Sequence, residues 1–560
     1  MHIVSRPNST LTQSVKRENS SKILLDRILS SENTIQVVRD MPSPSLLLLI
    51  KDVGLADTME LLELMSANQI QEHLDLDVWV GDRINFKSIG EWLQTLFAAN
   101  ARKAVQQMHG LDFDLICFLF KSHATIFDTQ EGEEPIGNLD LHTITPDRRY
   151  IVAFYEEEAH ETNGIGHSLK AYLESLYERD LRFVFLLMEA VRHETASSLE
   201  ESAYDFRRTR LADMGFPELE QALSVFSYQD PDSAALQTTY EANKLPPQAA
   251  TNFIMQIVPQ NQNINHALQS LDQERREQIE HALIYLVNQV FVVRNGGNFD
   301  LETMKKSGDF AMATLNLGLR YLSKDKPEEF GFWLSKLSPQ QLFRTGFSLL
   351  IKLQRQWRAL VRAQNLSQAT IAALDFPLKE VVEGINRRIP SFFCNLTDHK
   401  NAAHRTFSEL TEVALTARAL SQSAFRASLV GPHGLAVDFE KNLDHCHGVY
   451  FATYLCNQLI SPESSVKDPL QKFSDEMLEG LFNRLEKIAE MRKFTQADKM
   501  RIYETAKVLA KSLQAAWPKQ SLSELESKAV SYADIVLGAV EAEFSRLSHA
   551  PSKQFITSLL

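Results

Sequence analysis

The feature that most constrains the fold is a pattern of short helices that repeats about every 43 residues. Read from Ser43, the chain runs Ser-Pro, LLLLIKDV, Gly54, a helix start at Asp57, ELLELM, a second start at Ser66 and QIQEHL. Shifted by 43 residues, Leu46, Leu49, Ile50 and Val53 fall on Ile89, Trp92, Leu93 and Leu96, and Asp57 falls on Asn100. Shifted so that Asp57 meets Asp180, they fall on Leu169, Tyr172, Leu173 and Leu176, and Met65 falls on Met188. Three short helices in a unit of this length is the period of armadillo-type and HEAT-type arrays. Helices this short are marginal alone and must be held by stacking on neighbours. The expected fold class is therefore all-α.

The punctuation has local causes. Ser43-Pro44 pairs a capping hydroxyl with a proline where a missing N–H costs nothing, and Gly54 supplies a helix stop. Asp57-x-x-Glu60 and Ser66-x-x-Gln69 read as capping boxes. Between the second and third repeats lies an insertion, 128–167, which opens on the acidic loop DTQEGEEP. Within it the alternation at Leu139, Leu141 and Thr143, the turn Thr145-Pro146-Asp147 and the run YIVAFY predict one small β-hairpin.

This reading divides the chain into a polar tail with a lead-in helix (1–42), the repeats (43–227), a proline-containing linker (228–250) and a longer-helix C-terminal domain (251–560). Helices are expected at 339–364, 377–388, 405–428, 438–460, 473–493, 495–516 and 521–547, and no strand outside the insertion. On the first of these, Leu342, Leu349, Leu350, Leu353, Trp357, Leu360 and Val361 hold one apolar face.

With 58 basic against 72 acidic side chains, the net charge of −14 disfavours nucleic acid or an anionic membrane as the main partner. No apolar run approaches membrane-spanning length, and no secretory signal is visible near the start. Four scattered cysteines fit a reducing compartment. A cytoplasmic, soluble protein is the expectation.

The repeat DTMELLELMSANQIQEHLDL resembles the acidic, Leu-rich helical repeats of the cytosolic domain of MgtE-type magnesium transporters, over about 43–127 and 168–200. That resemblance implies a helical array, and by analogy divalent-cation sensing. The transporter's membrane helices have no counterpart, so transport is not implied. The segments LLLLIKDVGLADTMELL, RRYIVAFYEE and RLADMGFPELEQAL are similar to the layout of a large bacterial family known only as a domain of unknown function, which implies a cytosolic protein. That match implies no assigned activity and transfers no site residue.

No phosphate-cradling glycine loop, zinc-protease helix, nucleophile elbow or CxxC motif is present. The sharpest cluster of chemistry-bearing side chains is His433 with Asp444, His445, Cys446 and His447. Imidazole and thiolate are good zinc or iron ligands, so one such ion is the alternative to a chain without cofactor. Glu157-x-x-His160 has the carboxylate–imidazole spacing of di-iron bundles, but the second such motif is missing, so Glu156, Glu157 and His160 are instead candidates for partner binding. Lys352, Arg355, Arg358 and Arg362 make a basic stripe opposite the apolar face of their helix, suited to an acidic partner or a phosphate. The leading expectation is a scaffold or adaptor that binds a protein partner without catalysis, with the concave face of 43–200 and the insertion 128–167 as its binding elements; the alternative is a metal-dependent enzyme or sensor with its site near 433–456.

Overall fold

The repeat is visible as three helical triplets in the computed structural model, which describes residues 21–135, 141–155, 164–232, 262–295, 301–441, 445–460 and 475–546. The first triplet is Ser43–Val53, Met59–Leu64 and Ala67–Asp77. In the second, Phe86–His109 is split by extended backbone at Asn100, and Phe113–His123 follows. The third is Ile165–Tyr177, Leu181–His193 and Ala196–Asp213. Equivalent apolar positions (Leu46 and Ile50, Ile89 and Leu93, Leu169 and Leu173) are fully buried. Equivalent starts are capped alike: Asn100 Oδ1 accepts from Lys103 N at 3.2 Å and Asp180 Oδ1 from Phe183 N at 3.0 Å.

Two expected caps are replaced. Asp57 lies in a 3₁₀ turn, Ala56–Thr58, and no capping box to Glu60 forms. Ser43 is itself the first helical residue, and its hydroxyl donates to Glu72. The Ser66 box does form, with Gln69 N to Ser66 Oγ at 3.2 Å and Ser66 N to Gln69 Oε1 at 3.1 Å.

The array closes on itself instead of remaining an open stack. Helix Ala196–Asp213 packs against Phe113–His123 and Ala67–Asp77, so the third repeat returns to the first two. Charged groups fix that contact. Arg210 donates to Asp75 Oδ1 at 3.0 Å and Asp112 Oδ2 at 3.1 Å, and Arg207 Nε donates to the Asp75 carbonyl at 2.8 Å. The Arg207 guanidinium also sits 5.2 Å from the Trp79 ring. Removing one partner from so buried a set costs about 3–5 kcal/mol, because the other charge stays desolvated.

The insertion forms its hairpin, His142–Ile144 with Tyr150–Phe154, and gains an unexpected third strand, Ala124–Asp128, on the other side of Tyr150–Phe154. That strand follows helix Phe113–His123 without any turn residue to announce it, which hid it from the pattern. Two arginines pair with three of the four acidic residues of the loop. Asp128, with no exposed surface, accepts from Arg149 Nε at 3.0 Å and Arg192 Nη1 at 3.1 Å. Arg192 also reaches Glu131 at 2.6 Å and Glu133 at 3.3 Å.

The chain divides into two units, Met1–Arg344 and Thr345–Leu560. From residue 233 onward the expected linker lies outside the described residues. The second unit contains helices Leu378–Asn386, Leu410–Val430, His447–Ile460, Asp475–Arg484, Gln496–Lys511 and Leu522–Ser545. Two expectations need correcting here. The helix expected from 438 starts at His447, and the one expected over 473–493 stops at Arg484. Leu485–Ile488 and Met491–Phe494 pair as a hairpin instead. Its outer strand is sealed by helix Leu522–Ser545, where Ser545 Oγ and Glu541 Oε1 accept from Arg492 N and Phe494 N at 2.7 and 3.0 Å. Two-residue strand pairs at 79–84 and 392–405 were also unforeseen. Among the described residues no helix is long and apolar enough to cross a membrane.

Candidate functional site

The densest cluster of perturbed side chains in the second unit centres on Asp375, at the end of a short loop after helix Gln368–Ala372. Its Oδ1 accepts from Gly448 N at 2.7 Å and its Oδ2 from Tyr532 Oη at 2.6 Å. The Cys446 thiol donates to it as well, and Arg426 Nη1 lies 3.6 Å away. A carboxylate has about four acceptor sites, and three of these receive a hydrogen bond. Gly448 is required by the close approach, since a Cβ there would lie 2.9 Å from Asp375 Oδ1. Arg426 covers the Tyr532 ring at 4.2 Å, and Phe451 stacks on its other neighbourhood at 4.9 Å between centroids. Burial, then the Asp375 charge, holds the Tyr532 hydroxyl far above its ordinary range, and the same two causes push the Cys446 thiol up. The node is thus a Tyr and a Cys, both held protonated, donating to one carboxyl group. It joins four segments of the unit.

The expected metal ligands are arranged around this node in different ways. His445 and Cys446 precede the helix, and His447 is its first residue. His447 is fully buried with its ring 4.8 Å from Phe439, and neither ring nitrogen has a partner of normal hydrogen-bond geometry. Desolvation lowers its pKa to about 4, against the opposing pull of Asp375 and the Thr370 carbonyl. His433 is turned to another task, its Nε2 lying 3.0 Å from the Gln364 carbonyl. His445 packs edge-on to Tyr450 at 5.9 Å. Among the described residues no three His, Cys, Asp or Glu side chains converge to hold a metal. Asp444 lies outside the described residues, as do Glu156, Glu157 and His160.

The basic stripe sits where the pattern put it. Leu342, Leu349, Leu350, Leu353 and Trp357 are buried along helix Pro339–Ala363, Leu360 and Val361 are half-buried, and Arg355, Arg358 and Arg362 are exposed. Lys352 is half-buried. This helix, PQQLFRTGFSLLIKLQRQWRALVRA, carries five basic residues and no acidic one, in a chain whose net charge is −14. Some arginines are engaged within the fold, with Arg207, Arg210, Arg405 and Arg426 each meeting a carboxylate or backbone carbonyl, while others such as Arg102, Arg388 and Arg501 are exposed. Arg358 and Arg362 make no ion pair among the described residues.

The model of a family of unknown function, DUF6178, matches residues 6–560. The chain belongs to DUF6178. The match covers nearly all of the chain, in keeping with the uncharacterised family that LLLLIKDVGLADTMELL suggested. No curated protein and no solved structure matches it.

In this DUF6178 chain the hub residues Asp375, Arg426 and Tyr532 escaped sequence reasoning. They stand 51 and 106 residues apart (375 to 426, 426 to 532) on unrelated helices and loops, with no motif to link them. Cys446 and His447 were noticed for their ligand chemistry, whereas the fold uses the thiol as a hydrogen-bond donor.

Proposed function

We propose that this chain is a cytoplasmic bacterial scaffold that holds a protein partner against the outward face of helix Pro339–Ala363. The observation that carries this reading is that Arg358 and Arg362 are exposed, with no ion pair among the described residues, on a helix that has no acidic residue. An acid-rich chain has ample carboxylates to neutralise its arginines, and does so throughout the buried networks. Exposed on a helix without any acid, Arg358 and Arg362 present a cationic surface to another molecule. The likeness of the repeats to those of MgtE-type cytosolic domains belongs to the same proposal. Four free cysteines, three of them buried, agree with a reducing compartment.

The test is co-purification from the source cell with an affinity-tagged chain, wild type against Arg358→Glu with Arg362→Glu. The reading expects a stoichiometric protein companion on the wild type and its loss on the variant. A companion retained undiminished by the variant removes the arginine face from the account.

One observation keeps a second reading: the buried ring nitrogens of His447 are unpartnered. A zinc or iron ion there, with His433, Asp444, His445 and Cys446 as the remaining candidates, would make the chain a metal enzyme or sensor. Metal analysis of protein purified without a metal-binding tag decides it: about one equivalent, lost in His447→Ala, would favour this reading.

A further inference from the structure

We infer that the outward face of the three-stranded sheet docks one amphipathic α-helix of a partner protein, a contact separate from the arginine face of helix Pro339–Ala363. Side chains alternate across a strand, so the paired register sorts the sheet into two faces. One face is met by helices. Phe154 lies against the ring of Phe120 at 6.0 Å, Tyr150 against that of Phe185 at 6.3 Å, and Thr143 Oγ1 is 3.4 Å from the Tyr177 hydroxyl. Asp128, on the same side, accepts from Arg192.

The other face carries two rows across the three strands. Phe127, Ile151 and Ile144 stand opposite one another in the first, and Thr125, Ala153 and His142 in the second. Tyr155 follows on that side, its hydroxyl 2.8 Å from Thr125 Oγ1. An antiparallel sheet covered on one side ordinarily turns polar side chains to water on the other. Here Ile144 and Tyr155 are 46% and 49% exposed, Phe127 and Ile151 are half-buried, and neither row holds an Asp, Glu, Lys or Arg.

Area and backbone bonding decide the occupant. Strands ~4.8 Å apart and alternate residues ~6.8 Å apart give this face roughly 14 by 17 Å, on the order of 240 Å². Two copies of the chain would need about 800 Å² from each for a stable contact, so this face alone does not hold a second copy. An element laid on a sheet face receives no ladder bonds from it. A lone strand there would leave its amides unpaired, whereas a helix satisfies its own. The outer strands stand ~10 Å apart, the diameter of one helix. Along the middle strand the order is Ile151, Ala153, Tyr155, a small residue between two large ones, which leaves a seat for one apolar anchor. Glu131 and Glu134 are exposed in the loop beyond Phe127, so the fitting helix carries Lys or Arg at its rim, and the same acids repel an anionic lipid surface.

The test uses the full chain and a fluorescent synthetic peptide of about four helical turns, with leucines at i, i+3, i+4 and i+7 and lysines and glutamines elsewhere. A scrambled peptide of the same composition and phosphatidylserine vesicles serve as competing probes. The expected result is saturable binding at least about tenfold tighter than that of the scrambled peptide. It should weaken at least about tenfold in Ile144→Lys/Tyr155→Lys and stay unchanged in Arg358→Glu/Arg362→Glu. A photoreactive residue at Ile144 should crosslink the peptide to an otherwise unaltered chain, and one at Val80, 53% exposed on another hairpin, should not. Equal binding of the scrambled peptide, or by the Ile144/Tyr155 variant, overturns the inference. So does tighter capture of vesicles, or an Ile144 adduct to a second copy of the chain. Binding lost only in the arginine variant would place the peptide on the other surface and equally overturn it.

Discussion

Mild acid should destabilise this protein through two buried histidines, one in each unit. His73 is fully buried, with Nδ1 hydrogen-bonded to the Gln69 carbonyl and its ring edge-on to Trp92 at 5.7 Å. Desolvation lowers its pKa to about 4, and lowers that of His447 likewise to about 4. An unfolded histidine titrates near 6.5, so the unfolded chain takes up a proton between pH 6.5 and 4 that the folded ring refuses. The stability tied to each ring is therefore intact above about pH 6.5, falls across that window, and levels off below about 4. At pH 5 the unfolded ring is about 1.5 units below its pKa, which at 1.36 kcal/mol per unit is about 2 kcal/mol lost per histidine. Urea unfolding followed at pH 7 and pH 5, on wild type, His73→Asn and His447→Leu, isolates each contribution. Each variant should lose stability at pH 7 yet show a pH 7 to 5 decrement about 2 kcal/mol smaller than the wild type. A decrement identical in wild type and variants would refute the reasoning, as would NMR titration of either ring near pH 6.5 in the folded protein.

Three further outcomes follow from particular contacts. Gln107 Nε2 donates to the Leu62 carbonyl at 2.8 Å and the Met65 carbonyl at 3.0 Å; Gln107→Leu strands both and should cost about 2 kcal/mol in chemical denaturation. Asp375→Asn withdraws the charge that Arg426, Tyr532 and Cys446 face, and should destabilise the second unit by about 3 kcal/mol, seen as an earlier urea transition in the fluorescence of Trp517. Ala489 closes its hairpin at φ +56°, a left-handed backbone that favours glycine, so Ala489→Gly should raise the melting temperature by an amount equivalent to about 1 kcal/mol.

How far the sequence could be read depends on the range over which each physical signal acts. The repeats were legible because burial recurs at fixed spacing: Leu46, Ile89 and Leu169 occupy one structural position, and each sits in the core. The amphipathic face of Pro339–Ala363 was legible for the same reason. Where a neighbour distant in sequence decides the outcome, the pattern misled. Leu485–Phe494 carries enough charged residues to continue a helix, but Ser545 and Glu541 accept from its amides and favour the strand. The closure of the array depends on Arg207 and Arg210 meeting Asp75 and Asp112, an interaction across more than ninety residues that no local rule encodes. For the candidate sites the lesson divides in the same way. An exposed helix stripe is a local property and could be read directly; the Asp375 hub is assembled from four separate segments and could not.

The central claim, that the outward face of helix Pro339–Ala363 is where another protein sits, is tested most directly by site-specific photo-crosslinking in the source cell. A photoreactive residue at Ala359 should form a covalent adduct with one defined protein, and an identical probe at exposed Lys487 on the far hairpin should not. Absence of any protein adduct at Ala359, or the same adducts from both positions, would contradict the account.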